Sequence, residues 1–598
     1  MVKWDNLKRR INLCLYIALL LSLLWPHSAP GVLASGASST SVAQTKETKA
    51  TNNVPHKKPH GIDEVIEEFR EYVKQVRKSW NVPGVSVGIY IDGQVFFIND
   101  GVQDNSIKST SETSKNNVSE HTIFCVMSLS KIMTVIILQQ LVDEGLVSLD
   151  DPVTKILPWF KLSSEKATQK AKVRHLVSHC IGIPKFSADT LWHLGFSQKE
   201  IIEKLQQISV VAEPGEKYAY QNMFVGITGL LIEAVLKKPL ADVFQERIFD
   251  KLGMKDSSVG PHPKGFLSML KRFLPGKSAS DPHDPARLAA GHINLGGPRK
   301  VSVESESEPY VFPGTSGVNS STADYVKLLS AFCNEGVCTL TEEPVRLFSE
   351  RAYKTMFFPQ TPIPDIKNKD SHFPIPNMKP GSFFYGQGAF GFEYGGPAVR
   401  GADESIAGHE VSQDGYTKVV VHEGAGAGWR SLWAFVPEHK VGLVVLSNYG
   451  SINTSLLPEA IVDTFLDIAL GLKRTDWNKR LLDSKVRLRR FLAERFDQYV
   501  LGPPPSNREL VGKYKNQLYG EAEVVEDEKN LCLKYMGRNM RLKHVGGGVF
   551  SFDANELTQR YGDDDTGNVY FDVGGKKRGL KISLLFEGSG GNFVKINQ

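Results

Sequence analysis

The chain has 598 residues, of which 41% are hydrophobic and 23% charged. This is the balance of a soluble globular protein, in a chain too long for one ordinary core, so more than one domain is expected. The net charge of +5 is small for this length, and no compact basic cluster interleaves with aromatics, which argues against nucleic acid as a partner.

At the start, Lys3, Lys8, Arg9 and Arg10 precede an apolar run over 11–25, and Val32-Leu33-Ala34 offers a small-residue cleavage site. That pattern predicts a signal peptide over 1–34 and export to the periplasm or exterior. The run is short for a membrane span of about 20 residues, although an uncleaved anchor stays open. Residues 35–60 are rich in Ser, Thr, Lys and Asn and are expected to form a flexible tether. From Ile62, apolar residues at helical spacing (Val65, Ile66, Phe69, Val73, Val76) predict an amphipathic helix. GVSVGIYIDGQVFFINDG then predicts two strands joined at Asp92-Gly93.

The next stretch, 123–150, reads IFCVMSLSKIMTVIILQQLVDEGLVSLD and holds Ser128 and Lys131 as S-x-x-K at the head of an apolar helix. Positions i and i+3 share a helix face, so the Lys131 ammonium is expected beside the Ser128 hydroxyl. A serine hydroxyl is a poor nucleophile without a neighbouring base. A lysine in an apolar setting has its pKa lowered towards that role, and the helix N-terminus adds a positive field. S-x-x-K recurs at Ser163 to Lys166 and Ser268 to Lys271, but neither opens a long apolar helix. Context therefore selects Ser128 as the nucleophile.

KVRHLVSHCIGIP (172–184) predicts a short helix ended by Gly182 and Pro184. His175 and His179 have metal-like spacing but read as structural. No acidic ligand lies near, and neither His409-Glu410 nor His422-Glu423 continues to H-E-x-x-H. Tyr220-Gln221-Asn222 sits on a turn before another apolar helix. A phenol beside a Ser–Lys pair can relay protons, and the cation is expected to lower its pKa. The Asn222 amide can donate to a substrate carbonyl and accept from Lys131.

Residues 255–312 are rich in Pro, Gly and charge and read as an insertion or lid-like segment; 318–332 carries an N-cap and a helical pattern; 357–400 is loop-rich. Residues 417–448 read as three adjacent antiparallel strands, the first ending at His422-Glu423-Gly424. A glycine there lets a substrate backbone lie against the strand edge. The N–H of Ala425 could join that of Ser128 as an oxyanion hole, and His422 supplies a polar, sometimes cationic, group. Residues 476–504 form a basic helix ending in three prolines, a connector, and 505–598 alternate as an all-β unit of about eight short strands. Six cysteines are few for an exported chain; Cys333 and Cys338, close in sequence, suggest a small disulfide loop, while Cys125, Cys180 and Cys532 read as buried singles.

S-x-x-K on a helix, then Y-x-N about 90 residues later, then H-x-G on a late strand, resembles the serine β-lactamase and penicillin-binding protein superfamily. The likeness covers roughly 62–470 and is greatest to the class C β-lactamase-like branch, with its D-aminopeptidases, DD-peptidases and carboxylesterases. It implies an α+β fold: an antiparallel sheet flanked by helices, with a helical subdomain over 61–475. The opening L-x-G-x-Y of 505–598 resembles the lipocalin-like, barrel-like all-β module appended to some members.

The resemblance implies Ser128 as acyl-forming nucleophile, Lys131 as its activator, Tyr220 as general base and then acid, and Asn222, His422, Gly424 and Ala425 as substrate- and oxyanion-binding groups. It implies no cofactor and no metal, and a small peptide, amide or ester as substrate. Cell-envelope association and oligomeric state stay open. His422 replaces the lysine of K-T-G, which counts against β-lactams. The alternatives are a β-lactamase or DD-carboxypeptidase proper, and a non-catalytic penicillin-binding-like receptor or scaffold.

Overall fold

The computed structural model describes residues 61–107, 116–260, 287–294, 298–300, 312–363, 377–396, 415–426, 428–450, 455–487, 503–527, 530–553, 566–572, 579–582, 585 and 592–596. The signal peptide and tether expected over 1–60, and much of the insertion expected over 255–312, lie outside the described residues. Among the described residues, no helix is long and apolar enough to cross a membrane.

The chain begins with helix α1 (Ile62–Ser79), whose Val65, Ile66, Phe69, Val73 and Val76 form one buried stripe. Strands β1 (Gly84–Ile91) and β2 (Gln94–Gly101) follow as a hairpin. Its turn holds Asp92 at φ 41° and Gly93 at φ 92°, the left-handed pair that matches strand twist. Helices α2 (Ser130–Asp143), α3 (Asn222–Leu236) and α4 (Thr322–Cys333) come next. Then come β3 (Thr361–Pro362), β4 (Phe384–Tyr385), β5 (Phe390–Gly395), β6 (Tyr416–Gly426), β7 (Trp429–Val436), β8 (Val441–Ser447) and helix α5 (Leu457–Ala469).

These strands form one antiparallel sheet in the order β3-β4-β5-β6-β7-β8-β1-β2. Period-two alternation divides its side chains between two cores. On β7, Leu432, Ala434 and Val436 face α1 and α5. Trp433 and Phe435 face α4 and the helical region around α2. Where α4 crosses β1, a Cβ on Gly88 would lie 2.7 Å from Val326, so that glycine lets helix and sheet close together.

Helix α2 is the centre of the helical region. It has no polar face: every residue from Ser130 to Leu141 is buried, as befits a helix wrapped on all sides. The helix expected over 172–184 is shorter, spanning Val173–Val177, and His179 at φ 55° turns the chain away before Gly182.

The C-terminal strands Gly512–Asn516, Gly520–Asp527, Asn530–Tyr535, Arg538–Gly546, Val549–Asp553, Thr566–Asp572, Gly579–Ile582 and Asn592–Lys595 close an eight-stranded barrel, the last pairing with the first. Its inward residues are large and apolar. The disulfide loop is not formed: Cys333 and Cys338 are both buried free thiols. Cys125 is also buried and donates to Asn319 Oδ1 at 3.0 Å, a packing role.

Candidate active site

Ser128 lies in a single 3-10 turn, Met127–Leu129, that leads directly into α2. Met127 before it holds φ 52°, a left-handed conformation that costs a side-chain-bearing residue about 1–3 kcal/mol. The surroundings hold it there. Ser130 Oγ donates to Met127 O at 2.7 Å and accepts from Val318 N–H at 3.0 Å. Ser431 Oγ on β7 donates to Val126 O at 2.8 Å. Met127 and Leu129 are buried, while Ser128 between them is half-buried.

Lys131 Nζ donates to Ser128 Oγ at 2.8 Å and to Thr315 O at 3.3 Å. The lysine is fully buried, and burial lowers its pKa to about 7, opposed by the negative charge of Asp189. Near neutrality, much of it is therefore free amine, able to take the Ser128 proton. The predicted i, i+3 pairing is present as a direct contact.

Tyr220 completes the group. Its hydroxyl lies near enough to Ser128 for that side chain to lower its pKa, and Lys131 Nζ lies 5.2 Å from its ring centroid. The expectation that the cation lowers its pKa is overturned. Burial dominates and holds the phenol far above the usual tyrosine range, with Glu423 and Asp189 adding to the effect. Resting Tyr220 is therefore a neutral phenol. Its ring is fixed by His179, whose centroid is 4.4 Å away. Gln221 N–H donates to His179 Nδ1 at 3.2 Å, so Nε2–H donates to Tyr385 Oη at 3.1 Å. His179 is thus a buried positioning residue. Among the described residues, no group of three or more metal-ligating side chains gathers.

Asn222 is the first residue of α3. Its Nδ2 donates to Asp189 Oδ2 at 2.6 Å, its backbone oxygen accepts from Thr315 Oγ1 at 2.6 Å, and its Oδ1 is buried with no partner. Burial raises the Asp189 pKa to about 7, opposed by the Asn222 hydrogen bond and by Lys131. Sequence reasoning missed Asp189 and Thr315. Both lie in short helices, Asp189–His193 and Pro313–Ser316, with no motif around them, and only the tertiary fold sets them near Lys131.

Strand β6 runs two residues past the expected end at Gly424, to Gly426. Strand β5 pairs only with its residues 416–421, so 422–426 extend beyond that neighbour, next to the nucleophile turn. Gly424 packs against that turn: a Cβ there would collide with Ser431 Oγ and lie 2.6 Å from Val126 O. A Cβ on Gly426 would lie 2.6 Å from Met127 Sδ. The glycines therefore admit the turn that carries Ser128. Ala425, between them, is half-buried.

His422 is buried and donates from Nδ1 to Glu423 O at 2.7 Å; its Nε2 has no partner. Burial and the Lys131 charge lower its pKa to about 3. The sometimes cationic group expected here is a neutral acceptor at every pH where the protein would work.

A family model described as Beta-lactamase matches residues 69–462. The unguisins hydrolase ungD' of Aspergillus campestris is 25% identical over 490 residues, covering 78% of this chain and 79% of its own. Penicillin-binding protein 4 of Amycolatopsis lactamdurans is 23% identical over 219 residues, 36% of this chain and 55% of its own. Among solved structures, the octameric penicillin-binding protein homologue from Pyrococcus abyssi aligns at a TM-score of 0.49 and 21% identity, covering 89% of this chain and all of its own.

Proposed function

Since the chain belongs to the beta-lactamase family, we propose that it is an exported serine hydrolase that cleaves a small peptide, amide or ester through an acyl-enzyme on Ser128. The observation that carries this reading is the 2.8 Å contact between Ser128 Oγ and a buried lysine whose pKa is lowered to about 7. Free Lys131 accepts the Ser128 proton as Oγ attacks the carbonyl carbon. Tyr220, neutral and beside Ser128, hands its proton to the leaving group and is reprotonated from Lys131. Strand 422–426 lies against the nucleophile turn, where backbone N–H groups at Ala425 and Ser128 would meet the developing oxyanion. Water then attacks the acyl-enzyme by the reverse proton path.

β-Lactams suit this site poorly. A neutral His422 stands where a fixed cation would hold their carboxylate. The name of the Aspergillus relative, a hydrolase of unguisins, agrees with a hydrolytic rather than a purely binding role.

The test is intact-mass analysis after exposure to a fluorophosphonate, with Ser128→Ala alongside. One adduct on the wild type and none on the variant is expected. An unmodified wild-type protein that also turns over no ester or anilide would replace this reading with that of a non-catalytic receptor. Rapid nitrocefin turnover would restore the β-lactamase reading.

A further inference from the structure

Asp189 is half-buried, is held by Asn222 and acts through its charge on Lys131 and Tyr220, yet the chemistry above gives it no step. Its carboxylate accepts one hydrogen bond, from Asn222 Nδ2 at 2.6 Å, and feels the charge of Lys131, but among the described residues no Lys, Arg or His makes a direct ion pair with it. A carboxylate has about four acceptor sites, so most of this one is unused. A carboxylate withdrawn from water without a cation is costly.

The bond to Asn222 has a second effect. It occupies the amide's donor and leaves Oδ1 as the end that remains, buried and unpartnered. His422 Nε2, also buried and unpartnered, is a second bare acceptor by its tautomer. The cation of the site, Lys131, is engaged with Ser128 and Thr315. Apart from the backbone N–H groups at Ala425 and Ser128, the side-chain atoms named here that still lack a partner, Asn222 Oδ1 and His422 Nε2, are acceptors, and they call for a donor on the substrate.

An amine on the carbon next to a scissile carbonyl lies about 2.5 Å from the carbonyl carbon. When that carbon is attacked by Ser128, the amine falls within the reach of groups that surround Lys131. We propose, resting on the serine-hydrolase reading, that Asp189 held by Asn222 is a specificity-determining residue that takes an ammonium group beside the scissile carbonyl. The substrate class is then an acyl donor with a free α-amine, in preference to one that is N-acylated or lacks the amine. Binding the ammonium supplies the missing counter-charge and keeps Asp189 ionised.

The full-length protein and Asp189→Asn would be assayed on the p-nitroanilides of alanine (both enantiomers), N-acetylalanine and propionic acid. The wild type is expected to favour the better alanine enantiomer over the propionyl compound at least tenfold in kcat/KM, and Asp189→Asn to lose at least tenfold of that ratio. Any change in Lys131 caused by the substitution acts on both substrates alike and cancels in the ratio. A wild-type ratio near one, or an unchanged ratio in a variant that still takes the fluorophosphonate, would overturn the assignment and leave Asp189 as a partner of Lys131 alone. Should the variant fail to fold, alaninamide is expected to slow fluorophosphonate labelling of the wild type at least tenfold more effectively than propionamide, and equal protection overturns the proposal. A wild type that takes no label and turns over no anilide sinks the hydrolase reading itself, a result distinct from an active enzyme without amine preference.

Discussion

In the proposed mechanism Lys131 serves catalysis at the expense of folding. Its pKa falls from 10.5 to about 7 because burial disfavours the ammonium. Between those values, the unfolded chain binds more protons than the folded one, so stability rises with pH across that window and is lost as pH falls from 10.5 to 7. At pH 7, the lysine costs folding on the order of 4 kcal/mol. Lys131→Met, apolar and similar in length, is therefore expected to raise the melting temperature by a few degrees at pH 7 while abolishing fluorophosphonate labelling. Calorimetry at pH 7 checks the first part, and a lower melting temperature would mean that the contacts to Ser128 and Thr315 outweigh burial. The same shift fixes the sign of the rate profile. Acylation needs the free amine, so the wild-type labelling rate should climb tenfold per pH unit below about 7 and level off above it.

At the scale of elements, the site is a junction of the head of α2, the head of α3 and the end of β6, and its precision depends on how closely β6 lies on the nucleophile turn. Gly424→Ala would place a methyl against Ser431 Oγ and 2.6 Å from Val126 O, both of which hold that turn. Overpacking of this kind costs about 1–3 kcal/mol. The expected outcome is a folded protein with a lowered melting temperature and fluorophosphonate labelling slowed at least tenfold; unaltered labelling would show that the turn does not depend on β6. The sequence carried much of this junction, because helical spacing and strand alternation are local signals. Ser128 and Lys131 are one turn apart on any helix, and Tyr220-Gln221-Asn222 precedes a run too apolar to be anything but buried. Asp92-Gly93 marks its hairpin, and the alternation after 505 marks a barrel. Asp189 and Thr315 were not legible, since each is set near Lys131 by tertiary placement of a short helix. Nor was the charge state of Tyr220 or His422. A neighbouring cation is visible in a motif, but the depth of burial that outweighs it is a property of the whole core. Cys333 and Cys338 failed as a pair for a related reason: nearness in the chain says nothing of how buried side chains point.

Across the whole molecule, chemistry and the C-terminal barrel are separate in sequence. Every group identified around Ser128 comes from 126–131, 179, 189, 220–222, 315, 318, 385, 422–426 or Ser431, and none comes from beyond residue 503. The barrel closes its own hydrogen bonding, the strand Asn592–Lys595 pairing with Gly512–Asn516, and fills its interior with its own side chains such as Tyr514, Leu533 and Phe552. It joins the N-terminal unit through Lys204 Nζ, which donates to Leu518 O at 2.7 Å, and through apolar side chains that share one continuous cluster with the helical region. Lys204 ends a helix (Gln198–Lys204) in the same stretch of chain that begins with Asp189. Removing the barrel should then act on selectivity before it acts on the nucleophile. A chain ended at residue 487 is expected to label at Ser128 within a few-fold of the full-length rate, because α2, α3 and β6 keep all their partners. Its preference for an α-amino anilide should weaken, because the stretch carrying Asp189 loses an anchor. Labelling rates and the two kcat/KM values, measured on the same preparation, separate the effects. Loss of labelling together with a collapsed melting transition would show instead that the barrel is part of the catalytic unit's own fold.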